Sequence, residues 1–228
     1  MKSLSLNPRR RLAPLLLVSA SLLGGALLSG CAGLVVGGAV VGGLMVADRR
    51  TSGAQIEDQA IELKAINRIQ SVLGERGHVN VTSYNRMALL TGEVPTEADR
   101  SAIEQSISQI ENVRSIVNEL AVTANSSIGS RSNDVVLTSK VKASFLDARD
   151  LQANAFKVVT ERGQVFLMGR VTEREARRAG EVARSISGVQ KVVRVFEVIS
   201  EAELAELQPS KDAAKDGSKE APKDGAKN

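Results

Sequence analysis

Few residues of this 228-residue chain could carry out chemistry on a substrate or hold a metal. It has one cysteine, Cys31, and one histidine, His78. A metal site needs several nitrogen, sulfur or carboxylate ligands at a recognisable spacing, and a catalytic base needs an orienting partner. His78 has no cysteine available and no acid cluster near it in the sequence, and the chain contains no glycine-rich phosphate loop, nucleophile elbow or paired-carboxylate site. The sequence therefore predicts no catalytic residue, no cofactor, no metal ligand and a protein that is not an enzyme.

A dense charged turn at residues 173–178 offers one further kind of chemistry. Glu173 and Glu175 alternate there with Arg174, Arg177 and Arg178. Acids are favoured in the first turn of a helix by the helix dipole, so this turn is predicted to be a solvated helix start with local ion pairs. The alternative is that Arg174, Arg177 or Arg178 contacts a phosphate group.

Cys31 closes an N-terminal export segment, residues 1–30. Basic residues begin this segment, an uncharged apolar run covers 12–28, and small residues follow, which is the order found in a bacterial export signal. The sequence Leu28-Ser29-Gly30-Cys31 resembles the lipobox of bacterial lipoproteins. That resemblance implies cleavage before Cys31 and acylation of its thiol and of the new N-terminus. The alternative is a plain secretory signal with an incidental cysteine.

Export changes how the charge of the chain is interpreted. The full sequence has 30 Lys and Arg and 26 Asp and Glu, and four of the basic residues lie in the segment that is removed, so the mature chain is neutral. A basic isoelectric point is therefore no argument for a nucleic-acid partner, and none is expected. Residues 57–123 have a net charge of −4, whereas residues 134–199 have a net charge of +4. Two halves of opposite sign indicate different partners, or contact between the halves.

Both ends of the mature chain have unusual compositions. Residues 32–47 are uncharged with five glycines and fall slightly short of a membrane span. We predict that 31–56 form a lipidated tether against the lipid surface, the alternative being an intramembrane or self-associating helix over 32–47. Residues 200–228 are predicted to be a disordered tail rich in Lys, Asp, Ala and Gly. A short helix capped by Ser200 is expected to begin that tail.

Between tether and tail the chain repeats itself at an offset near 77 residues. The segment 89–94 matches 166–171, and each copy predicts the order helix, strand, strand, helix, strand. We place the first domain at 57–123, a linker at 124–133 and the second domain at 134–199. The expected fold is α+β, with two tandem αββαβ domains that each have a three-stranded mixed sheet covered by two helices. Each domain is marginal in size, so docking of the two copies is expected to add stability.

Local patterns set the expected elements within each copy. Thr96 and Thr172 are predicted to begin the second helices, and Asn85 and Gly163 to lie in hairpin turns. The final strands are predicted at 116–122 and 192–198. The first helices are expected to bury apolar residues at helical spacing, namely Leu63, Ile66, Ile69 and Leu73 in one copy and Leu137, Val141 and Phe145 in the other.

The run 163–176, with 187–192 after it, resembles the BON domain (bacterial OsmY and nodulation). Residues 80–94 resemble a second, more diverged copy, and together with the lipobox the chain is similar to dual-BON outer-membrane lipoproteins. The resemblance implies a non-enzymatic protein anchored by lipid to the periplasmic face of the outer membrane. It also implies that the second BON domain binds anionic phospholipid and that the protein supports envelope integrity, including at division sites.

The family resemblance centres the lipid-contacting surface on the first helix of the second copy. Transferred to this sequence, the phospholipid-binding residues are Val135, Val136, Lys140 and Lys142. One member of the family has a tryptophan at the position of Val136, and a valine inserts less area and has no polar group. Leu137, which is in phase with the core positions, is expected to be buried, and Val135 and Val136 are candidates for exposure.

Two other roles remain open from the sequence. The chain could be a periplasmic protein-interaction or chaperone module for outer-membrane proteins, with partners in outer-membrane assembly or division. It could also link the membrane to peptidoglycan through its tail. No feature of the sequence sets an oligomeric state.

Overall fold

The structure is a computed structural model that describes residues 48–207. Its elements are α1 Ser52–Leu73, β1 His78–Tyr84, β2 Met87–Val94, α2 Glu97–Ser108, β3 Ser115–Asn118, β4 Ala121–Val122, α3 Ile128–Asp147, a 3-10 turn Ala153–Ala155, β5 Lys157–Glu161, β6 Gln164–Thr172, α4 Glu173–Arg184, β7 Lys191–Ile199 and α5 Glu201–Leu207. The predicted signal segment, the lipidation site Cys31, the glycine-rich stretch 32–47 and the tail beyond 207 lie outside the described residues.

The two halves of the described chain repeat one architecture. β1 pairs antiparallel with β2, while β3 and β4 both pair parallel to β2. In the second half β5 pairs antiparallel with β6, and β7 runs parallel to β6. Two helices pack on one face of each sheet and form a separate hydrophobic core in each half. The α+β class and the αββαβ order predicted from the repeat are confirmed.

Threonine caps begin the second helix of each copy, as predicted. The Thr96 hydroxyl accepts a hydrogen bond from the amide of Asp99 at 3.1 Å. The Thr172 hydroxyl accepts from the amide of Glu175, and the Glu175 carboxylate accepts in return from the Thr172 amide, which completes a capping box. Both helices therefore begin where the sequence placed them.

Two-residue turns close both hairpins. Asn85 and Arg86 have φ angles of 49° and 67°, and Arg162 and Gly163 have φ angles of 53° and 71°. Positive φ at both central positions is typical of a type I′ turn, which matches the twist of the strands it joins. Arginine is a strained choice for this conformation, so the turns need support from elsewhere in the fold.

A buried aspartate on the first helix of each copy supplies that support. The Asp58 carboxylate accepts hydrogen bonds from the amides of Asn85 and Arg86, each at 2.7 Å. At the equivalent place in the second copy, the Asp134 carboxylate accepts from the amides of Arg162 and Gly163, each at 2.8 Å. Each first helix is thus tied to its own hairpin by two charge-assisted hydrogen bonds.

The predicted core face of α1 is partly wrong. Ile69 and Leu73 are buried, but Leu63 and Ile66 are exposed, and Ile61 and Ala65 take their places in the core. Asp58 must face the hairpin turn, and this requirement rotates the helix so that residues in phase with Asp58 point inward. The apolar spacing alone therefore selected a face that the buried aspartate excludes.

The predicted final strand 116–122 of the first copy is interrupted. β3 ends at Asn118 and β4 begins at Ala121. The Asn118 side-chain oxygen accepts a hydrogen bond from the amide of Leu120, and the Leu120 side chain is buried in the first-domain core. The strand breaks because its backbone turns locally to bury this leucine. The corresponding strand of the second copy, β7, is continuous.

The sheets of the two domains pack on each other through the faces that their helices leave uncovered. Tyr84 and Leu89 of the first domain contact Phe166, Met168 and Val195 of the second in an interdomain core. Alternation along β2 explains this, since neighbouring residues face the helices and the other sheet in turn. Docking of the copies therefore buries a second face of each sheet.

The folded part extends further in both directions than predicted. Residues 48–50 and the first turn of α1, from Ser52 to residue 56, lie in the segment predicted to be tether. At the other end α5 occupies residues that the predicted tail includes, with Leu204 buried and the Ser200 hydroxyl capping the helix at the amide of Glu203. The cap confirms the short helix expected there.

Candidate functional site

Helix α3 positions every residue to which the sequence assigned phospholipid binding. The Ser127 hydroxyl accepts from the amide of Ser130 at 3.2 Å and caps the helix. Its inward face contributes Leu137, Val141 and Phe145 to the core, as predicted. The hydrogen bonds from Asp134 to the hairpin fix the rotation of the helix about its axis, which determines the side chains that face outward.

The outward face of α3 carries four exposed aliphatic side chains among polar and small residues. Ile128 is 83% exposed, Val135 67%, Val136 50% and Leu146 71%. Positions 128, 135 and 146 recur on one side of a helix with about 3.6 residues per turn, and Val136 lies beside them. We call these four residues the α3 stripe. Exposed aliphatic side chains aligned in this way mark a surface that contacts another apolar phase or partner.

Lys140 and Lys142 flank the α3 stripe. Both are exposed, and neither forms an ion pair with any residue in the range 48–207. An apolar face bordered by free lysines is the arrangement of a helix that lies in a membrane interface. All four predicted residues are thus exposed on α3, with the two lysines on opposite sides of the stripe, and their contact with phospholipid stays a prediction.

Helix α1 has an exposed apolar surface of a different electrostatic character. Ile56, Leu63 and Ile66 are exposed on the side opposite its core face. Acidic and basic side chains alternate around them, and Glu62 binds the ammonium of Lys157 at 2.9 Å. Lys64, next to Leu63, is exposed and forms no ion pair within residues 48–207, so α1 also carries a free positive charge. The two surfaces differ because the acids Glu57 and Glu62 lie next to Ile56 and Leu63 in the sequence of α1.

The arginines predicted as alternative phosphate contacts are largely engaged with acids. The Arg178 Nε atom lies 2.8 Å from Asp150, and the Arg174 Nε atom lies 3.7 Å from Glu201. Arg177 is exposed and forms no ion pair within the described part of the chain. Local ion pairs, the first interpretation of this turn, are present, but Glu175 is buried rather than solvated.

The partner of Glu175 comes from the segment that was expected to be tether. Arg49 forms a bidentate pair with the Glu175 carboxylate at 2.7 and 2.8 Å, and both side chains are buried. Burial alone would raise the pKa of Glu175, but hydrogen bonds from Arg49 and from the Thr172 amide hold that pKa below its usual value. The last residues before α1 are therefore docked on the second domain.

The next residue, Arg50, docks on the first domain. Its guanidinium lies 2.7 Å from the Asp58 carboxylate and 4.3 Å from the centre of the Tyr84 ring. Two adjacent arginines thus bind one domain each, beside the interface between the domains. The sequence shows two arginines after the glycine-rich stretch but not what they bind. Their partners are buried acids far along the chain, Asp58 at 8 residues from Arg50 and Glu175 at 126 residues from Arg49.

The expectation that no acid cluster accompanies His78 is wrong in three dimensions. Glu93 lies opposite His78 across the β1–β2 hairpin, and Glu161 of the second domain lies beside them. Their donor atoms fall within 4.8 Å of one another, which is close enough to hold a metal ion. Sequence spacing missed the group because the hairpin register and the docking of the domains create it.

Comparisons with known proteins place the two repeats in one family. The sequence model of the BON domain matches residues 58–124 and 133–200. The chain is 36% identical over 207 residues to the outer membrane lipoprotein DolP of Haemophilus influenzae, covering 86% of this chain and 100% of that protein. It is 32% identical over 154 residues to a 21 kDa hemolysin of Actinobacillus pleuropneumoniae, covering 67% of this chain and 79% of that protein.

Among solved structures, the chain is similar to the C-terminal domain of CdsD, a structural protein of the type III secretion system of Chlamydia trachomatis. The identity is 10%, the TM-score is 0.27, and the match covers 59% of this chain and 97% of that domain.

Proposed function

Because this chain belongs to the BON-domain family and is an outer-membrane lipoprotein of the DolP type, we propose that its second domain binds anionic phospholipid through α3. The protein would act at the periplasmic face of the outer membrane and support envelope integrity, including at division sites. The proposed role is one of binding rather than of catalysis. The observation that carries it is the α3 stripe with free lysines beside it.

The magnitudes favour a weak but effective contact. A Lys or Arg near an anionic membrane surface contributes about 1 kcal/mol. Lys140 and Lys142 therefore supply about 2 kcal/mol, to which insertion of the stripe residues adds. Acylation at Cys31 would hold the domain at high local concentration beside the membrane, so a contact that is weak in free solution becomes populated. Valine at position 136 inserts less area than an aromatic ring, which makes the contact weaker.

A protein-binding role is a second candidate, supported by the exposed residues of α1. Ile56, Leu63 and Ile66 present an apolar surface with mixed charges around it. Such a surface suits a protein partner, for example in outer-membrane assembly or division, better than an anionic membrane. The two candidate surfaces lie on different helices and can be tested separately.

Vesicle flotation tests the lipid contact. A chain comprising residues 48–207, which lacks the acylated segment, is floated with phosphatidylglycerol vesicles and with phosphatidylcholine vesicles. We expect salt-sensitive binding to phosphatidylglycerol only. Replacing Val135 and Leu146 by Ser should abolish flotation, whereas the matched change of Leu63 and Ile66 to Ser should leave it intact. Equal loss in both double variants, or no preference for the anionic lipid, would overturn the proposal.

A further inference from the structure

A group of three titratable side chains lies where the two sheets meet, next to α3, whose Val135 lines the same cavity as His78 and Glu161. His78 on β1 and Glu93 on β2 are cross-strand partners in the first domain, and Glu161 ends β5 in the second. Alternation along β2 directs Glu93 to the same side as Leu89, toward the second domain. One donor atom from each of the three residues lies within 4.8 Å of the other two.

Glu93 is buried without adequate compensation for its charge. Its side chain is 0% exposed, and its Oε1 atom has no hydrogen-bond partner. Its Oε2 atom accepts a hydrogen bond from the Ser126 hydroxyl at 3.3 Å and lies 3.7 Å from His78 Nδ1. No Lys or Arg within residues 48–207 forms an ion pair with it. Burying a carboxylate costs several kcal/mol unless a cation or hydrogen bonds offset that cost.

The neighbouring groups have few partners. Arg131 lines the same cavity and donates a hydrogen bond to the Ser126 hydroxyl at 3.2 Å, but it forms no ion pair with Glu93 or Glu161. The Nδ1 atom of His78 is buried and has no hydrogen-bond partner. Glu161 is buried and accepts one hydrogen bond from the side-chain amide of Asn80 at 3.0 Å. Burial raises the pKa of Glu161, and the negative charge of Glu93 raises it further. Two carboxylates and an imidazole nitrogen thus converge with open coordination capacity.

We propose that His78, Glu93 and Glu161 bind a divalent first-row transition metal ion, represented by Zn²⁺, between the two BON domains. One imidazole nitrogen and two carboxylate oxygens are ligands that zinc accepts, and a water molecule can complete a tetrahedral shell. Two ligands of a tetrahedral zinc ion are about 3.4 Å apart at ordinary bond lengths. The donor atoms therefore need to draw inward by about 1 Å, which side-chain rotation supplies.

The ion would join the domains because the first contributes two ligands and the second contributes the third. It would occupy the place where the uncompensated Glu93 carboxylate otherwise weakens the interface. This inference does not depend on the proposed lipid contact, since the three ligands lie on β1, β2 and β5 rather than on α3.

Metal titration of the full chain tests the site. The acylated protein is purified in detergent, treated with a chelator and titrated with ZnCl₂ by calorimetry, with Co²⁺ as a visible-absorption probe of ligand geometry. We expect one ion per chain and an increase in melting temperature on binding. Loss of even an outer-shell partner lowers metal affinity roughly 10- to 100-fold. Zn²⁺ binding should therefore weaken at least about 100-fold in each of three variants, Glu93→Gln, Glu161→Gln and His78→Gln. Glu75→Gln, an exposed glutamate on the same domain, is the control and should bind as the parent does.

The variants separate the relevant outcomes. His78→Gln changes a half-buried side chain and so reports on binding even where a change at the fully buried Glu93 impairs folding. Absence of Zn²⁺ binding would overturn the proposal and leave His78 as the partner of Glu93. Binding that survives all three changes would assign the metal to other donors. Parent-like binding by Glu161→Gln alone would confine the site to the first domain and refute the interdomain ion.

Discussion

Neutralising the two lysines of α3 should weaken binding to anionic membranes by a calculable amount. Lys140 and Lys142 are exposed and their side chains form no ion pair or hydrogen bond within residues 48–207, so changing both to Gln removes charge without breaking such a bond. At about 1 kcal/mol for each lysine near an anionic surface, the double variant loses about 2 kcal/mol. This corresponds to a roughly 30-fold lower partition coefficient. The effect should shrink as salt rises, because charges separated by more than about 8 Å are screened at physiological ionic strength.

The assay is partitioning of residues 48–207 onto vesicles of increasing phosphatidylglycerol content. The control is the double change Arg177→Gln and Arg184→Gln, which removes the same charge from the exposed face of α4. If contact is local to α3, the control keeps most of its affinity. Equal losses in the two double variants would show that binding follows net charge, or that α4 faces the lipid, and would refute the assignment to α3.

Three further predictions concern stability. Arg49→Met should destabilise the fold by about 3–5 kcal/mol in urea unfolding, because it leaves the buried Glu175 carboxylate without its cation. Adding Glu175→Gln should restore part of the lost stability. No recovery in the double variant would contradict the pairing. Burial alone would raise the pKa of Asp58, but its four hydrogen bonds lower that pKa below 3.8. The ionised Asp58 therefore contributes its full stabilisation of the folded state above about pH 4. That contribution is lost as the pH falls through the pKa of Asp58 in the folded state. Unfolding free energies measured from neutral to acid pH should show this loss, and Asp58→Asn should reduce it. Gly92→Ala should lower the melting temperature and reduce the free energy of unfolding by about 2–5 kcal/mol. Gly92 has a φ of +113°, and a Cβ atom there would lie 2.0 Å from the His78 carbonyl oxygen. An unchanged melting temperature would contradict this steric clash.

Local signals in the sequence were enough to define the repeated fold. Thr96 and Thr172 carry helix-cap chemistry that acts within three residues, and the hairpins depend on turn residues next to their strands. Leu137 was assigned to the core from its phase with Val141 and Phe145, which is also local information. Where short-range chemistry decides the outcome, the pattern of residues was sufficient.

Long-range polar contacts account for the errors. The face of α1 was misassigned because Asp58, which orients the helix, acts on amides 27 and 28 residues away. Arg49 was placed in a tether because its partner, Glu175, lies 126 residues further along the chain. No periodicity reveals such pairs. A useful signal was nevertheless present, since Asp58 and Asp134 occupy equivalent positions in the two copies.

The group of His78, Glu93 and Glu161 could not be predicted from the sequence for the same reason, since long-range contacts bring it together. His78 is isolated in the sequence, and its spacing from Glu93 has meaning only when the hairpin register makes them cross-strand partners. Glu161 joins them only when the two sheets dock. A search by ligand spacing therefore could not find the group. Alternation along β2 places Glu93 on the face away from the helices, but only docking of the second sheet buries it.

An NMR titration of isotope-labelled residues 48–207 with phosphatidylglycerol-containing bicelles measures directly which helix meets the lipid. We predict that amide shifts and line broadening concentrate on Ile128–Asp147 and are strongest around the α3 stripe. Ser52–Leu73 and Glu173–Arg184 should stay unperturbed. Perturbations centred on either of those two helices, or none at low ionic strength, would contradict this prediction.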